Sequence, residues 1–257
     1  MSITAELARA ESENKEFAHV LVVDVKGAAS REPGAEMIVY SDGTTSGTVG
    51  GGIVELNAKS DALQSLTDGI PMLREYKIAD EDRICGVVSC FIRPRVAAKK
   101  LFLFGAGHVA QEIVPIAKAV GFYVTVIDPR EELSKTEKIR LADRVIVDEY
   151  DVFDDTELDE KSYVFVGTFD HAIDGRVLGK ALRSNALYVG MLGGKPKIEK
   201  IFANLHAEGI SEEILSKAHT PIGLDIGGRE PSEIAVSVVA EMIAVGNGRS
   251  GGFSRIQ

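Results

Sequence analysis

Where the apolar run Leu101 to Gly105 gives way to a segment of helical periodicity, the chain reads Gly105-Ala106-Gly107-His108-Val109-Ala110. No other feature of the 257 residues restricts the fold as much. A GxGxxA string carries little weight alone, but here it follows a strand and opens a helix, as its chemistry requires. Gly105 permits the tight turn, Gly107 lets a pyrophosphate approach the backbone, and Ala110 lets the helix pack close to the strand. The helix that His108 opens would offer unpaired N–H groups and the positive end of its dipole to an anion. Asp128 ends the next apolar run 23 residues after Gly105, where a ribose hydroxyl acceptor belongs. Asp128 favours an NAD-type ribose, and Arg130 beside it is the residue type that would suit an NADP-type one. A Rossmann-like fold without a ligand is the alternative.

The alternation continues through the second half. Apolar segments at Arg144–Asp148, Tyr163–Gly167 and Ala186–Leu192 are separated by helical stretches, the pattern of a parallel sheet covered on both faces. The helix after Gly107 ends at Gly121 and carries Pro115, which should bend it. A last helix starts near Ser232, and a glycine-rich, mobile tail follows it.

The first half reads differently: a charged helix over 1–18, a buried strand His19–Val25, a hairpin turning at Asp42-Gly43, a helix from Ile53, and strands at 72–80 and 84–93. The basic stretch Arg93 to Lys100, with Pro94, reads as a linker. The expected architecture is α/β, with a Rossmann-like parallel sheet over 96–257 and a smaller α+β domain over 1–95.

Composition narrows the function. The net charge is −10 and there is no Trp, which argues against general nucleic-acid binding. No apolar run reaches the length of a membrane span, and the N-terminus lacks a signal-peptide core, so a cytoplasmic protein is expected. Cys85 and Cys90 lack CxxC spacing and cannot staple a domain of this size. The five histidines show no HxxxH or HExxH spacing, so no metal site is expected.

Glycine is concentrated in clusters. Gly50-Gly51-Gly52 opens a helix with Glu55 in its first turn, either a second anion site or a tight hairpin-to-helix connection. Gly193 and Lys195, in the string from Gly190 to Lys197, lie where a strand end meets a helix, the edge at which open α/β sheets bind ligands. Arg31, Lys195 and Lys197 would add positive charge if they converge. Pro221–Pro231 is a long loop, either functional or a structural brace. Asp170, with His171 and Asp174, either binds a ligand or caps the helix that follows.

With these residues laid out, the chain resembles the XdhC/CoxI family of xanthine dehydrogenase accessory factors. The resemblance rests on residues 27–55, on Cys85-Gly86, and on LFLFGAGHVA, VIDPR, YVGMLGGKPK and PIGLDIGGREPSEIAVSVVAEMI. It implies a C-terminal Rossmann domain, a homodimer, and a chaperone that binds molybdenum cofactor (molybdopterin). Such a chaperone protects the cofactor during sulfuration, with a cysteine desulfurase as partner, and helps insert it into a molybdenum hydroxylase. Four positions depart from the family pattern. Ile53 stands where the family has Cys, Val87 follows Cys85-Gly86 where it has Gly, Phe169 follows Thr168 where it has His, and Gly193 to Lys197 replaces GSRRK. The leading expectation is a non-catalytic maturation chaperone. The alternatives are an NAD-dependent oxidoreductase, for which no convincing proton donor is found, and a nucleotide sensor.

Overall fold

The structure, a computed structural model, describes residues 2–28, 30–80, 83–150 and 158–253, with backbone alone at 80, 83 and 84. It divides into two compact units, Met1–Ala97 and Ala98–Gln257.

The first unit opens with α1 (Ile3–Ser12), capped by the Ser2 hydroxyl on the Ala5 N–H. The helix expected over 1–18 stops there. Asn14 takes a φ of 51°, the Lys15 N–H closes back onto the Ala10 carbonyl, and Phe17 and Ala18 start β1 (Phe17–Gly27) instead. Both are buried, and strand pairing rather than helix packing satisfies their backbone. The hairpin of β2 (Glu36–Tyr40) and β3 (Thr45–Gly47) turns where Asp42 accepts from Thr44 N and Oγ1 and Gly43 takes a φ of 81°. After α2 (Gly52–Asp68), β4 (Met72–Asp80) and β5 (Arg83–Arg95) complete a sheet of order β3-β2-β1-β5-β4, every pair antiparallel. Val54, Ala58 and Ala62 of α2 pack onto Val20, Val22, Cys90 and Ile92. The expected linker begins too early: β5 runs through Pro94, which pairs with Ala18. The β4 ladder ends at the Met72–Ile92 pair, so Pro94 has a neighbour on one side only, the setting in which a sheet tolerates proline.

The second unit contains β6 (Lys100–Phe104), α3 (His108–Ala119), β7 (Tyr123–Ile127), the short α4 (Glu131–Ser134), a 3-10 turn (Ile139–Leu141), β8 (Arg144–Ile146) and β9 (Ser162–Val166). Then come α5 (His171–Leu182), β10 (Tyr188–Met191), α6 (Lys195–Ala207), α7 (Glu212–Leu215) and α8 (Pro231–Gly246). The strands form a parallel sheet of order β10-β9-β6-β7-β8. Counted within the unit from its far edge, that order is 3-2-1-4-5, so chain direction across the sheet reverses between β6 and β9. One face packs on α3 and α8, the other on α5 and α6. The helix α3 runs through Pro115 unbroken, and Gly121, at φ 86°, ends it with Gly121 N–H on Lys118 O and Phe122 N–H on Ala117 O. Residues 254–257 of the expected tail lie outside the described residues. Among the described residues, no helix is long and apolar enough to cross a membrane.

Candidate functional site

The switch point of the second sheet brings two strand ends together. A Cβ on Gly105, at φ 111°, would stand 2.2 Å from the Gly167 carbonyl oxygen, so glycine is demanded by the close approach of β6 and β9. Gly107 has ordinary dihedrals, and a Cβ there would meet nothing within 4 Å. It faces open space. The N-terminus of α3 has no side-chain cap, while Ala110 is 1% exposed against the core. His108 is exposed at the first helical position.

Asp128 departs from its expected role. It is 2% exposed and fully engaged within the protein. Its Oδ2 accepts from the Ala106 N–H at 2.7 Å and Arg130 Nη2 at 2.6 Å, and its Oδ1 from the Arg130 N–H at 2.9 Å and Nε at 2.8 Å. Burial raises its pKa, but the Arg130 side chain, the two backbone N–H bonds and the guanidinium charge more than offset that, and the carboxyl lies below the usual range. Asp128 therefore clasps the glycine turn to Arg130 and offers no open acceptor to a ribose. The Arg130 guanidinium in turn lies 5.0 Å from the Phe169 ring centroid. Tyr150, which nothing in the sequence marks, stands beside Asp128 and packs against Phe104 and Phe169. Its hydroxyl is buried without a hydrogen-bond partner.

Helices α5 and α8 start at the same edge with their own carboxylates. Asp170 Oδ1 accepts from Ala172 N–H at 2.6 Å and Ile173 N–H at 3.3 Å, so its place is that of a cap, and the ligand reading gives way. Glu230 and Glu233 form a capping box on α8. Helix α6 starts at Gly194 without a side-chain cap, and Leu192, Gly193 and Gly194 share a cavity of about 860 Å³ with Gly227, Gly228 and Arg229 of the long loop. That loop is tied down at Gly223, whose N–H donates to Glu241 Oε2 at 2.9 Å, the same oxygen that accepts from Tyr188 OH. The two lysines do not converge. Lys195 is 86% exposed near Glu199, whereas Lys197 pairs with the buried Asp174 at 2.5 Å and donates to the Leu192 carbonyl. Asp174 Oδ1 also accepts from Thr168 N–H and Oγ1. The Lys197 charge is thus neutralised inside the unit.

In the first unit, Gly50, Gly51 and Gly52 take φ values of 136°, 72° and 56°. They line a cavity of about 460 Å³ with Ala28, Ser30, Ile53 and Ile78. Cβ atoms at Gly51 and Gly52 would meet nothing within 4 Å, so the dihedrals demand glycine there, while packing leaves room. Not all the amides are open. Gly50 N–H donates to Thr48 Oγ1 and Gly51 N–H to Glu55 Oε2 at 3.1 Å. Glu55 thus braces the turn and places its own negative charge at the helix start, and its N–H donates to the Gly51 carbonyl, which leaves the amides of Gly52, Ile53 and Val54 for an anion. Ser30 Oγ donates to the Gly50 carbonyl. Cys85 is the bulged residue of β5: Ile78 pairs with Gly86, and Ala79 with Ile84. Its carbonyl accepts from Ala28 N–H at 2.9 Å, and Gly27 and Gly86 permit that close crossing. Cys85 is half-buried, and its backbone adjoins the cavity-lining Ala28. Cys90 is buried, and burial pushes its thiol up to about 11.

The XdhC Rossmann domain family matches residues 101–242, and the XdhC and CoxI family residues 10–77. Among curated relatives, uncharacterized protein YqeB of Escherichia coli (strain K12) is 32% identical over 98% of this chain and 48% of its own length. A probable xanthine dehydrogenase subunit of Bacillus subtilis (strain 168) is 30% identical over 60% of this chain and 44% of its own. The molybdenum cofactor insertion chaperone PaoD of Escherichia coli (strain K12) is 24% identical over 88% of this chain and 82% of its own. The chain thus spans about half the length of the first two. A solved structure, a xanthine dehydrogenase from Bacillus halodurans, covers 99% of this chain and 98% of its own at a TM-score of 0.54 and 20% identity, and shares the fold.

Proposed function

The chain belongs to the XdhC/CoxI family, and on that premise we propose that it carries molybdenum cofactor and helps load it into a molybdenum hydroxylase. The observation that carries this reading is the cradle at Gly50–Gly52. Three successive glycines at positive φ present bare backbone to a cavity of about 460 Å³, braced from behind by Thr48, Glu55 and Ser30. A cavity of this size suits a small-molecule ligand. The amides of Gly52, Ile53 and Val54 would take its anionic end, and glycine allows the close approach that any side chain would block.

The role is chaperoning rather than turnover. An oxidoreductase using an NAD-type ribose would need the acceptor that Asp128 has already committed to Arg130 and Ala106. Sulfuration is the part of the role this chain is least equipped for. Ile53, 55% exposed at the cavity rim, carries no thiol, which leaves a cysteine desulfurase as the sulfur source and Cys85, whose backbone adjoins the lining residue Ala28, as the candidate thiol. The homodimer and cytoplasmic location implied by the family complete the proposal.

The test is mass spectrometry of pterin co-purified from a molybdate-fed host. Wild-type protein should carry it. Gly52→Val, which costs about 1–2 kcal/mol of backbone strain in a left-handed position and whose Cβ would meet nothing within 4 Å, should stay folded by circular dichroism and lose it. Gly52→Ala, with a smaller side chain, should retain less than the wild type. Folded wild type without pterin, or Gly52→Val with a full complement, would overturn the assignment.

A further inference from the structure

We propose that the switch-point crevice of the second unit selects a phosphomonoester, with Arg130 as the specificity-determining residue, and discriminates against a bare ribose diol. This goes beyond the cofactor-carrying reading and stands independently of the Gly50–Gly52 cradle. A carboxylate has about four lone-pair directions, and Asp128 has four donors on them. A diol arriving there finds no acceptor. Arg130 is in a different position. Of its five N–H donors, Asp128 engages one on Nε and one on Nη2. Its side chain is 34% exposed, and its guanidinium lies 5.0 Å from the Phe169 ring centroid. The remaining donors form a fork of the kind that matches phosphate oxygens.

Three neighbours support the same ligand chemistry. Ala106 N and Arg130 Nη2 share one Asp128 oxygen, which ties the guanidinium to the glycine turn that leads into the uncapped α3. Gly107 leaves open space at that start. Tyr150 OH, on a residue only 2% exposed, lies beside Asp128. It is a donor within reach of the carboxylate, so the buried charge keeps a partner when the guanidinium leans toward a ligand.

Two ligands carry the required group: a 2′-phosphorylated dinucleotide, and a pterin bearing a terminal phosphate. Calorimetric titration of the full chain with NADP+, NAD+ and neopterin monophosphate separates them. The proposal expects at least one phosphorylated probe to bind 10-fold or more tightly than NAD+, with inorganic phosphate competing. Whichever phosphorylated probe is the tighter names the source. Arg130→Gln should bring the preference to within about twofold, and Arg130→Lys should fall between, because a lysine keeps the charge but not the fork. Phe169→Ala should weaken the phosphorylated probe while leaving NAD+ unchanged. Circular dichroism checks that each variant is folded. NAD+ binding as tightly as both phosphorylated probes, absence of binding by both, or an unchanged preference in folded Arg130→Gln and Arg130→Lys would overturn it. A tighter NADP+ would leave the Gly50–Gly52 reading untouched, whereas a tighter neopterin monophosphate would make the crevice a second pterin site, seen as pterin that Gly52→Val retains and Arg130→Gln loses, so the two readings fail separately.

Discussion

At the scale of single residues, the two glycines of the β6–α3 turn look alike in sequence and differ in what they do. Gly105 is structural: its φ is 111°, and an added Cβ would lie 2.2 Å from a backbone oxygen that cannot move without disturbing β9. Gly107 has a φ of −67° and open space around it. Gly105→Ala should therefore cost about 3 kcal/mol, since strained dihedrals and overpacking act together. Gly107→Ala should leave stability unchanged or raise it by about 0.4–1 kcal/mol, because alanine narrows the unfolded ensemble at a compatible site. Urea denaturation of the two variants checks both signs, and equal losses would show that Gly107 is also a packing residue. At Gly107 the structure shows open space, and the turn role of Gly105 is legible in the sequence, because the fingerprint encodes local geometry. The role of Asp128 is not. It depends on whether Arg130 folds back, and two residues of spacing do not say which way a side chain turns.

At the scale of elements, what is legible follows from periodicity, and what is not follows from pairing. The parallel strands of the second unit are short apolar runs between helical stretches, so their order in the chain is plain. Helix ends are legible where glycine marks them, as at Gly121. The end of α1 is not, because Phe17 and Ala18 continue an apolar pattern that a helix or a strand could use, and tertiary pairing with Tyr40 and Val39 decides for the strand. The crossing of Gly27 and Gly86 beside Cys85 is likewise invisible, since it needs the register of β1 against β5. Tyr150 gives no signal at all. The helix starts of the second unit show the same division. In sequence Asp170 suits a ligand or a cap equally, and its two bonds to Ala172 and Ile173 N–H identify the cap. Asp170→Ala should cost about 1 kcal/mol, a fall in melting temperature of about 2–4 °C for a domain of this size. It should leave the affinity for phosphorylated probes unchanged. A loss of affinity without a loss of stability would restore the ligand role.

At the scale of the whole molecule, each unit carries the means to fold by itself. The first unit buries Val20, Met37, Val39, Ala58 and Ile92 between its sheet and α2, with a smaller cluster of Ala10, Phe17 and Ile38 under α1. The second buries both faces of its sheet, Leu101, Leu103 and Tyr163 under α3 and α8, and Val164, Val166 and Met191 under α5 and α6. Sheets covered on both faces are self-sufficient in a way that open ones are not. Chains of about 150 residues bury roughly 68–70% of the surface they expose when unfolded, well above the level at which small domains become marginal. A fragment spanning residues 98–257 should therefore be soluble and should melt in one cooperative transition by circular dichroism and near-ultraviolet absorbance of its tyrosines. It should also retain the preference for a phosphorylated probe, since Gly107, Asp128, Arg130, Tyr150 and Phe169 all lie within it. It should carry no pterin at the level of the full chain if the Gly50–Gly52 cradle is the carrying site. A fragment that melts without cooperativity would mean that the second sheet depends on the first unit. One that folds and still co-purifies with a full complement of pterin would move the carrying site from the glycine cradle to the switch point.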